Sequence, residues 1–456
     1  MVVGFYMKAI KNTLLYAGCL FYVKGENLMA KHEIQVHEKP PLTKSIPLGI
    51  QHLFAMFGST VLVPILFGVN PATILLLNGV GTLLYIFITK GKIPAYLGSS
   101  FAFISPVMVV LNKYNGDEGF SYALGGFLAV GIVLTLVGLL IKLIGVAWID
   151  IVFPPAAMGA IVAVIGLELV PVAAEMAGWI APADAGDEWT LNKVDALVAA
   201  LTLLITIVFW VTLRGFLKII PILLGIISGY VISGLFGILD FSSVGEASWI
   251  ALPQMYTMKF DISAIIIILP AALVLLPEHI GHLFVTSNIV GKDLTKDPGL
   301  DRSFIGNGVS TIISSFFGST PNTTYGENIG VLAITRVYST FVIGMAAIFA
   351  MILSFSGKLA AVIQSIPTPV MGGISLLLFG IIAASGIRML VESKIDYSKS
   401  QNLILTCVVL VIGISGATIQ IIDVELTGMG LATIVAIALG LFFKLLDILK
   451  LSNEDE

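Results

Sequence analysis

Long apolar stretches, broken by short polar ones, recur along most of this chain. At 1.5 Å per residue, about 20 apolar residues cross a hydrocarbon core of about 30 Å. On that measure the pattern predicts about fourteen helical spans, at 46–67, 72–89, 94–111, 121–144, 155–177, 194–213, 217–238, 262–284, 303–317, 323–336, 337–356, 368–387, 401–418 and 426–449. Most read as plain apolar helices. The stretches near 94–111 and 303–336 do not: they carry Gly, Ser, Thr, Pro and Asn where a spanning helix would carry Leu and Val.

Composition narrows the class. The chain has 456 residues, of which 57% are hydrophobic and only 11% charged. A soluble domain carries about a quarter charged residues, and a membrane β-barrel would alternate in segments of about ten residues. The expectation is an all-α polytopic membrane protein whose partner is the lipid bilayer. The 46 glycines suit close helix contacts and interrupted helices. Net charge is −4, with no basic or acidic tract that would point to nucleic acid. Cys19 and Cys407 form neither a disulfide framework nor a metal motif.

The amino-terminal region differs from the rest. Lys8 and Lys11 precede an apolar run at 13–23 that superficially resembles a signal peptide, but it is short and has no clear small-residue cleavage site. Cys19 closes a stretch similar to a lipoprotein box but without the usual aliphatic residue three positions earlier. Residues 1–45 are read as a cytoplasmic extension, with Met29 as an alternative start.

Basic residues set the orientation. Lys90, Lys142, Arg214, Lys292, Arg388 and Lys444 fall on one side of the predicted spans, as do most other Lys and Arg; Lys113, Lys193, Lys259 and Lys358 fall opposite. Acidic residues such as Asp184, Asp187, Glu188, Asp240, Glu246, Asp423 and Glu425 gather mainly in the opposite loops. An even span count then places both termini in the cytoplasm.

The chain also repeats itself. His52-Leu-Phe54 returns as His282-Leu-Phe284, Gly98-Ser-Ser100 as Gly318-Ser-Thr320, and Pro155-Ala-Ala-Met-Gly159 in part within 367–372. The offsets are 230, 220 and 213 residues, in the same order along the chain. Two halves of about seven spans, joined near 239–261, would enter the membrane from opposite sides. Inverted repeats of this kind hold transporter substrate sites near the midplane, at broken helices. The irregular segments near 98–103 and 318–328 occupy corresponding positions and are expected to meet there.

Three ionisable residues stand out in this apolar setting. Glu278 and His282 are four apart and share one helix face, a natural proton-handling pair. His279 points elsewhere. The alternative is a helix-end cluster wetted at the cytoplasmic interface. Glu327 follows Gly326, whose missing side chain permits close backbone approach, and its carboxylate can accept two ring N–H donors. The alternative is a re-entrant cap in which Glu327 pairs with Arg336. Phe101, next to Ser100, could stack on a flat heterocycle or simply pack. Gln51 and His52 read equally as site residues or as a helix–helix hydrogen bond. Glu168 is either interfacial or cavity-facing. Arg388, Glu392, Lys394 and Asp396 read as a solvated connection. An intramembrane hydrolase using Glu278 and His282 lacks support: Glu278-His-Ile-Gly-His282 is not HExxH, and no nucleophile motif is evident.

At these residues the chain resembles the nucleobase–cation symporter-2 (nucleobase–ascorbate transporter) family over essentially all of 40–450. The matching stretches are 51–58, 91–103, 278–282 and 320–330, with Glu327-Asn328-Ile329-Gly330 and Thr335-Arg336 meeting the family motif. The resemblance implies two inverted seven-span repeats, with spans 3 and 10 broken by short β-strands that pair beside the substrate. Spans 1–4 (46–144) and 8–11 (262–356) would form a core domain; spans 5–7 (155–238) and 12–14 (368–449) would form a gate domain. The implied function is proton-coupled uracil symport across the cell membrane, with no cofactor beyond the proton. Glu278 and Glu327 would bond the pyrimidine, the backbone at Phe101 and Gly326 would complete its edges, and the flanking Ser100 and Tyr325 would line the site. His282 would tie Glu278 into proton coupling, and a homodimer would form through the gate domain. Glu at 327, where purine-transporting members commonly carry Gln, favours uracil over xanthine or urate. A transporter of the same fold for another nucleobase or an anion is the nearer alternative.

Overall fold

Helices make up most of the computed structural model, which describes residues 33–114, 116–182, 185–186, 189–421 and 424–452. The signal-like run at 13–23, Cys19, Met29 and the loop acids Asp184, Asp187, Glu188 and Asp423 lie outside the described residues. Among those described, eight helices are long and apolar enough to cross a membrane, or nine if the pair Thr340–Leu353 and Gly357–Gln364, bent by 87°, is one span. This is a multi-pass membrane protein. The other expected spans are shorter or more polar. Pro221–Leu235 and Ser400–Ile414 are apolar but short, and Leu300–Phe316 buries Ser303, Asn307, Ser310, Thr311, Ser314 and Ser315 against protein.

The helix carrying Glu278 and His282 differs from expectation in length. Asp261 caps Ile262–Ile268, accepting a hydrogen bond from the Ala264 N–H, and after a break at Leu269 the helix resumes as Pro270–Val290. The polar Thr286 and Ser287 do not end it at 284. Their hydroxyls donate back to the carbonyls of His282 and Leu283 at 2.7 and 2.8 Å. Gly291, at φ 71°, ends it instead.

The long helices sort into two packed groups. Gly116–Ile144 runs along Leu300–Phe316, and Thr340–Leu353 lies against both Pro71–Ile88 and Leu42–Ala55. Close approach needs small residues where the backbones meet. A Cβ added at Gly131 would lie 3.0 Å from the Gly308 carbonyl oxygen. The second group centres on Pro155–Glu168 packed along Thr368–Glu392, flanked by Lys193–Thr212, Ser400–Ile414 and Gly428–Ile448. Pro270–Val290 touches both groups, meeting Pro155–Glu168 and Gly428–Ile448 on the second side.

Two three-residue strands lie buried within the first group. β1 (Leu97–Ser99) and β2 (Asn322–Thr324) pair antiparallel, with Leu97 opposite Thr324, Gly98 opposite Thr323 and Ser99 opposite Asn322. Residues 318–320 form the turn after Leu300–Phe316, with Gly318 at φ 86°, and pairing starts four residues beyond Gly318. Non-helical backbone at this depth must be satisfied by protein. The Leu97 N–H donates to Thr82 Oγ1 at 2.9 Å and the Asn322 N–H to Thr311 Oγ1 at 3.2 Å, so each strand is bridged by a threonine of the helix before it. Ser100 N–H to the Pro321 carbonyl (3.2 Å) and Tyr325 N–H to the Tyr96 carbonyl (3.0 Å) extend the ladder. A second antiparallel pair, β3 (Thr418–Ile421) with β4 (Val424–Thr427), takes up the ends of the stretches read as spans 13 and 14.

Candidate substrate site

Each buried strand runs into a helix start. After β1, Ser100 caps the 3₁₀ turn Phe101–Phe103, its hydroxyl accepting from the Ala102 N–H at 3.3 Å, and Ile104–Tyr114 follows. After β2, Tyr325 leads into Gly326–Thr335. Helix starts carry unpaired N–H groups and the positive end of the helix dipole. Pro270–Val290 packs against β2, the 3₁₀ turn and Gly326–Thr335, and so brings Glu278 and His282 to this junction.

The candidate residues converge there. Ser100 Oγ is 3.5 Å from Glu278 Oε2, at the long limit of a hydrogen bond. Glu327, in the first turn of its helix, accepts a hydrogen bond from the Ser59 hydroxyl. Both acids lie on helices that meet at this junction. Neither takes part in an ion pair among the described residues, whose pairs all lie elsewhere. Gly326 is exposed although the strand before it is buried. A Cβ there would lie 3.5 Å from His282 Nε2, so the imidazole sits beside that bare backbone. The Phe101 ring meets Phe379 edge to face, with centroids 6.1 Å apart and planes at 85°. Phe379 comes from Thr368–Glu392, in the other helix group.

Tyr325 and His282 make contacts that the sequence alone does not indicate. The buried Tyr325 ring belongs to an apolar cluster with Met56, Tyr96 and Leu332. Gly98 makes room for it, because a Cβ at 98 would overlap that ring. His282 Nδ1 lies 3.0 Å from Thr324 Oγ1, so its hydrogen bond in this conformation runs to β2 rather than to Glu278.

Glu278 lies in mid-helix, not at a helix end. Arg336 faces Glu33 at 4.0 Å, not Glu327. His52 makes a helix–helix contact: Asn328 Nδ2 donates to the His52 carbonyl at 3.0 Å and lies 3.2 Å from Nδ1. His279 joins a separate network, with Nε2 2.8 Å from Ser303 Oγ and Nδ1 3.3 Å from Asn307 Nδ2. Arg388 and Glu392 pair at 2.9 Å on an exposed surface. Glu168 accepts a hydrogen bond from the Met429 N–H at 2.7 Å. Sequence reasoning missed Ser59, Thr324 and Phe379. Ser59 stands one residue past the motif stretch 51–58 and Thr324 lies inside 320–330, but nothing local marks them as partners.

A family model described as Permease family matches residues 43–422. The chain belongs to that family. The resemblance read from the motifs is therefore borne out, and the protein is a transporter rather than an enzyme. It is 64% identical over 427 residues to a uracil permease of Paenibacillus larvae, covering 93% of this chain and 100% of that one. It is 61% identical over 422 residues to a uracil permease of Escherichia coli strain K12, covering 92% and 96%. A uracil permease of Bacillus subtilis is 48% identical over 419 residues, covering 90% and 95%. Among solved structures, the transmembrane domain of a cyanobacterial bicarbonate transporter aligns with a TM-score of 0.59 at 14% identity, covering 91% of this permease and 99% of that domain. The murine solute carrier 26 family member A9 anion transporter, in the inward-facing state, aligns with a TM-score of 0.65 at 11% identity, covering 95% and 75%. At such identity these structures speak for the fold alone.

Proposed function

We propose that this permease imports uracil by proton symport, binding it between the two helix starts that follow the paired strands. The observation that carries this reading is the pair of carboxylates, Glu278 and Glu327, held by serines beside the exposed backbone at Gly326. Uracil is a flat ring with two N–H donors and two carbonyl acceptors. Carboxylates suit the donors; the backbone N–H groups at Phe101 and Gly326 suit the carbonyls. The Phe101 face suits the ring. Ser100 orients Glu278, and Tyr325 supports β1 from behind rather than touching substrate. The names of the relatives point to the same substrate.

The two helix groups are the natural moving parts. The core domain is 46–144 with 262–356, and the gate domain is 155–238 with 368–449. Counting short and polar helices as spans gives fourteen, in two inverted halves of seven. The matching roles of Thr82 and Thr311 at the two strands support that symmetry. The basic-residue bias favours cytoplasmic termini, and the gate domain is the expected dimer surface. The coupled proton resides on Glu278 or is shared with His282, whose bond to Thr324 would have to exchange during the cycle. No cofactor is invoked beyond the proton.

Radiolabelled uracil uptake in a permease-deficient strain, with and without an uncoupler, tests the reading. Uptake that ignores the proton gradient would remove the coupling claim. A binding panel of uracil, thymine, xanthine and urate tests the substrate, with uracil expected to bind tightest.

A further inference from the structure

Ser59, which donates to Glu327, stands in the first turn of Phe57–Phe67, just after the interruption at Met56 that separates this helix from Leu42–Ala55. Phe57–Phe67 packs against β1 and Ile104–Tyr114, two of the segments that build the site. Gly58, the residue before Ser59, meets a different part of the molecule. It is buried, and a Cβ added there would lie 2.5 Å from Ile222 Cγ2, so an isoleucine methyl occupies the space of the missing side chain.

Ile222 comes from the other helix group. It is the second residue of Pro221–Leu235, which packs along Lys193–Thr212 and Thr368–Glu392, and it is itself buried. Gly281, beside His282, is approached in a similar way by Met389 of Thr368–Glu392. The two seats differ in stiffness. A methionine end swings aside readily, whereas an isoleucine, branched at Cβ, has few rotamers. The Ile222 seat is the one that can hold the chain beside it in place.

We infer that Ile222 is a positioning residue for uracil binding: seated on Gly58, it fixes the first turn of Phe57–Phe67 so that the Ser59 hydroxyl reaches Glu327. The second helix group thereby contributes to the site without touching the ligand. The interruption at Met56 makes this turn a place where an outside contact can set the chain. The role rests on the uracil reading of Glu327 given above. Residues that act through one another couple in a double-mutant cycle, whereas a residue that merely fills space elsewhere adds independently.

The test is a cycle of Ile222→Ala and Ser59→Ala, with uracil affinity measured by isothermal titration of the purified full chain in detergent. Ile222→Ala alone should weaken binding at least roughly three-fold, but less than roughly two-fold in the Ser59→Ala background. Equal losses in both backgrounds would overturn the positioning role, as would wild-type affinity in Ile222→Ala. Ile222→Val keeps the Cγ2 methyl and should restore most of the affinity; a loss as large as that of Ile222→Ala would also overturn it. Gly58→Ala approaches the same seat from the other side and guards against an Ile222→Ala chain that does not fold. It should weaken binding at least roughly three-fold, and adding Ile222→Ala should recover it, because the new methyl then fills the space the old one left. No recovery sinks the seat. Wild-type uracil binding alone decides the substrate assignment, so a wild type that binds uracil while the cycle is additive removes the role of Ile222 and leaves that assignment standing.

Discussion

The Ser59 hydroxyl donates to the Glu327 carboxylate across 268 residues of chain. The bond fixes one of the two acids proposed to receive uracil, and it ties Phe57–Phe67 to the helix that follows β2. Ser59 is fully buried. Losing its bond would free Glu327 to turn without removing its charge.

Ser59→Ala should therefore weaken uracil binding by roughly 10- to 100-fold, the range for a hydrogen bond to a charged group. Glu327→Ala should abolish binding while the protein remains folded. Isothermal titration in detergent, beside a melting curve, checks both; wild-type affinity in Glu327→Ala would refute its role.

Glu278→Gln keeps the shape of a protonated carboxyl but cannot lose the proton. It should still bind uracil and still exchange external for internal uracil, yet fail to accumulate it against a gradient. Counterflow and net uptake in proteoliposomes separate these activities. Net accumulation equal to wild type would move the coupling proton elsewhere.

The two histidines of the same helix should behave differently. His279 is held by Ser303 and Asn307, away from the carboxylates, so His279→Ala should destabilise the fold by about 1–3 kcal/mol and leave uracil affinity within about two-fold. His282 sits against Thr324 and Gly326, so His282→Ala should alter the pH dependence of uptake with a smaller loss of stability. Melting temperatures and uptake from pH 5 to 8, the range about the ordinary imidazole pKa, check the contrast.

Gly98→Ala should damage folding and transport together. The new methyl would overlap the Tyr325 ring, which is packed among Met56, Tyr96 and Leu332. Overpacking of this kind costs about 1–3 kcal/mol. Size-exclusion profiles at rising temperature should show the loss, and an unchanged profile would mean that the ring has somewhere to go.

Much of the candidate site was legible because its residues break a local rule. Glu278, His282 and Glu327 are ionisable groups in apolar sequence, and Gly326 precedes one of them. The end of the Glu278 helix was misread for a physical reason: Thr286 and Ser287 look polar in one dimension, but their hydroxyls are spent on the carbonyls one turn back. The strand register was not legible, because similarity of 98–100 with 318–320 does not say where Leu300–Phe316 ends or how tight the turn at Gly318 is. The packing of Tyr325 could not be read locally, because it depends on the space left by Gly98.

By itself the sequence determined that this is a multi-pass helical membrane protein, that it belongs with the permeases, and which acids deserve a role. Hydropathy, charge bias and motif identity are properties of contiguous residues and survive without coordinates. Only the tertiary structure decided that Ser59 holds Glu327, that His282 bonds Thr324, that Phe101 meets Phe379 and that Glu168 accepts from the Met429 N–H. Most of those pairings join segments far apart in the chain. Each depends on hydrogen-bond and packing geometry within a few ångströms, which no pattern along the chain encodes.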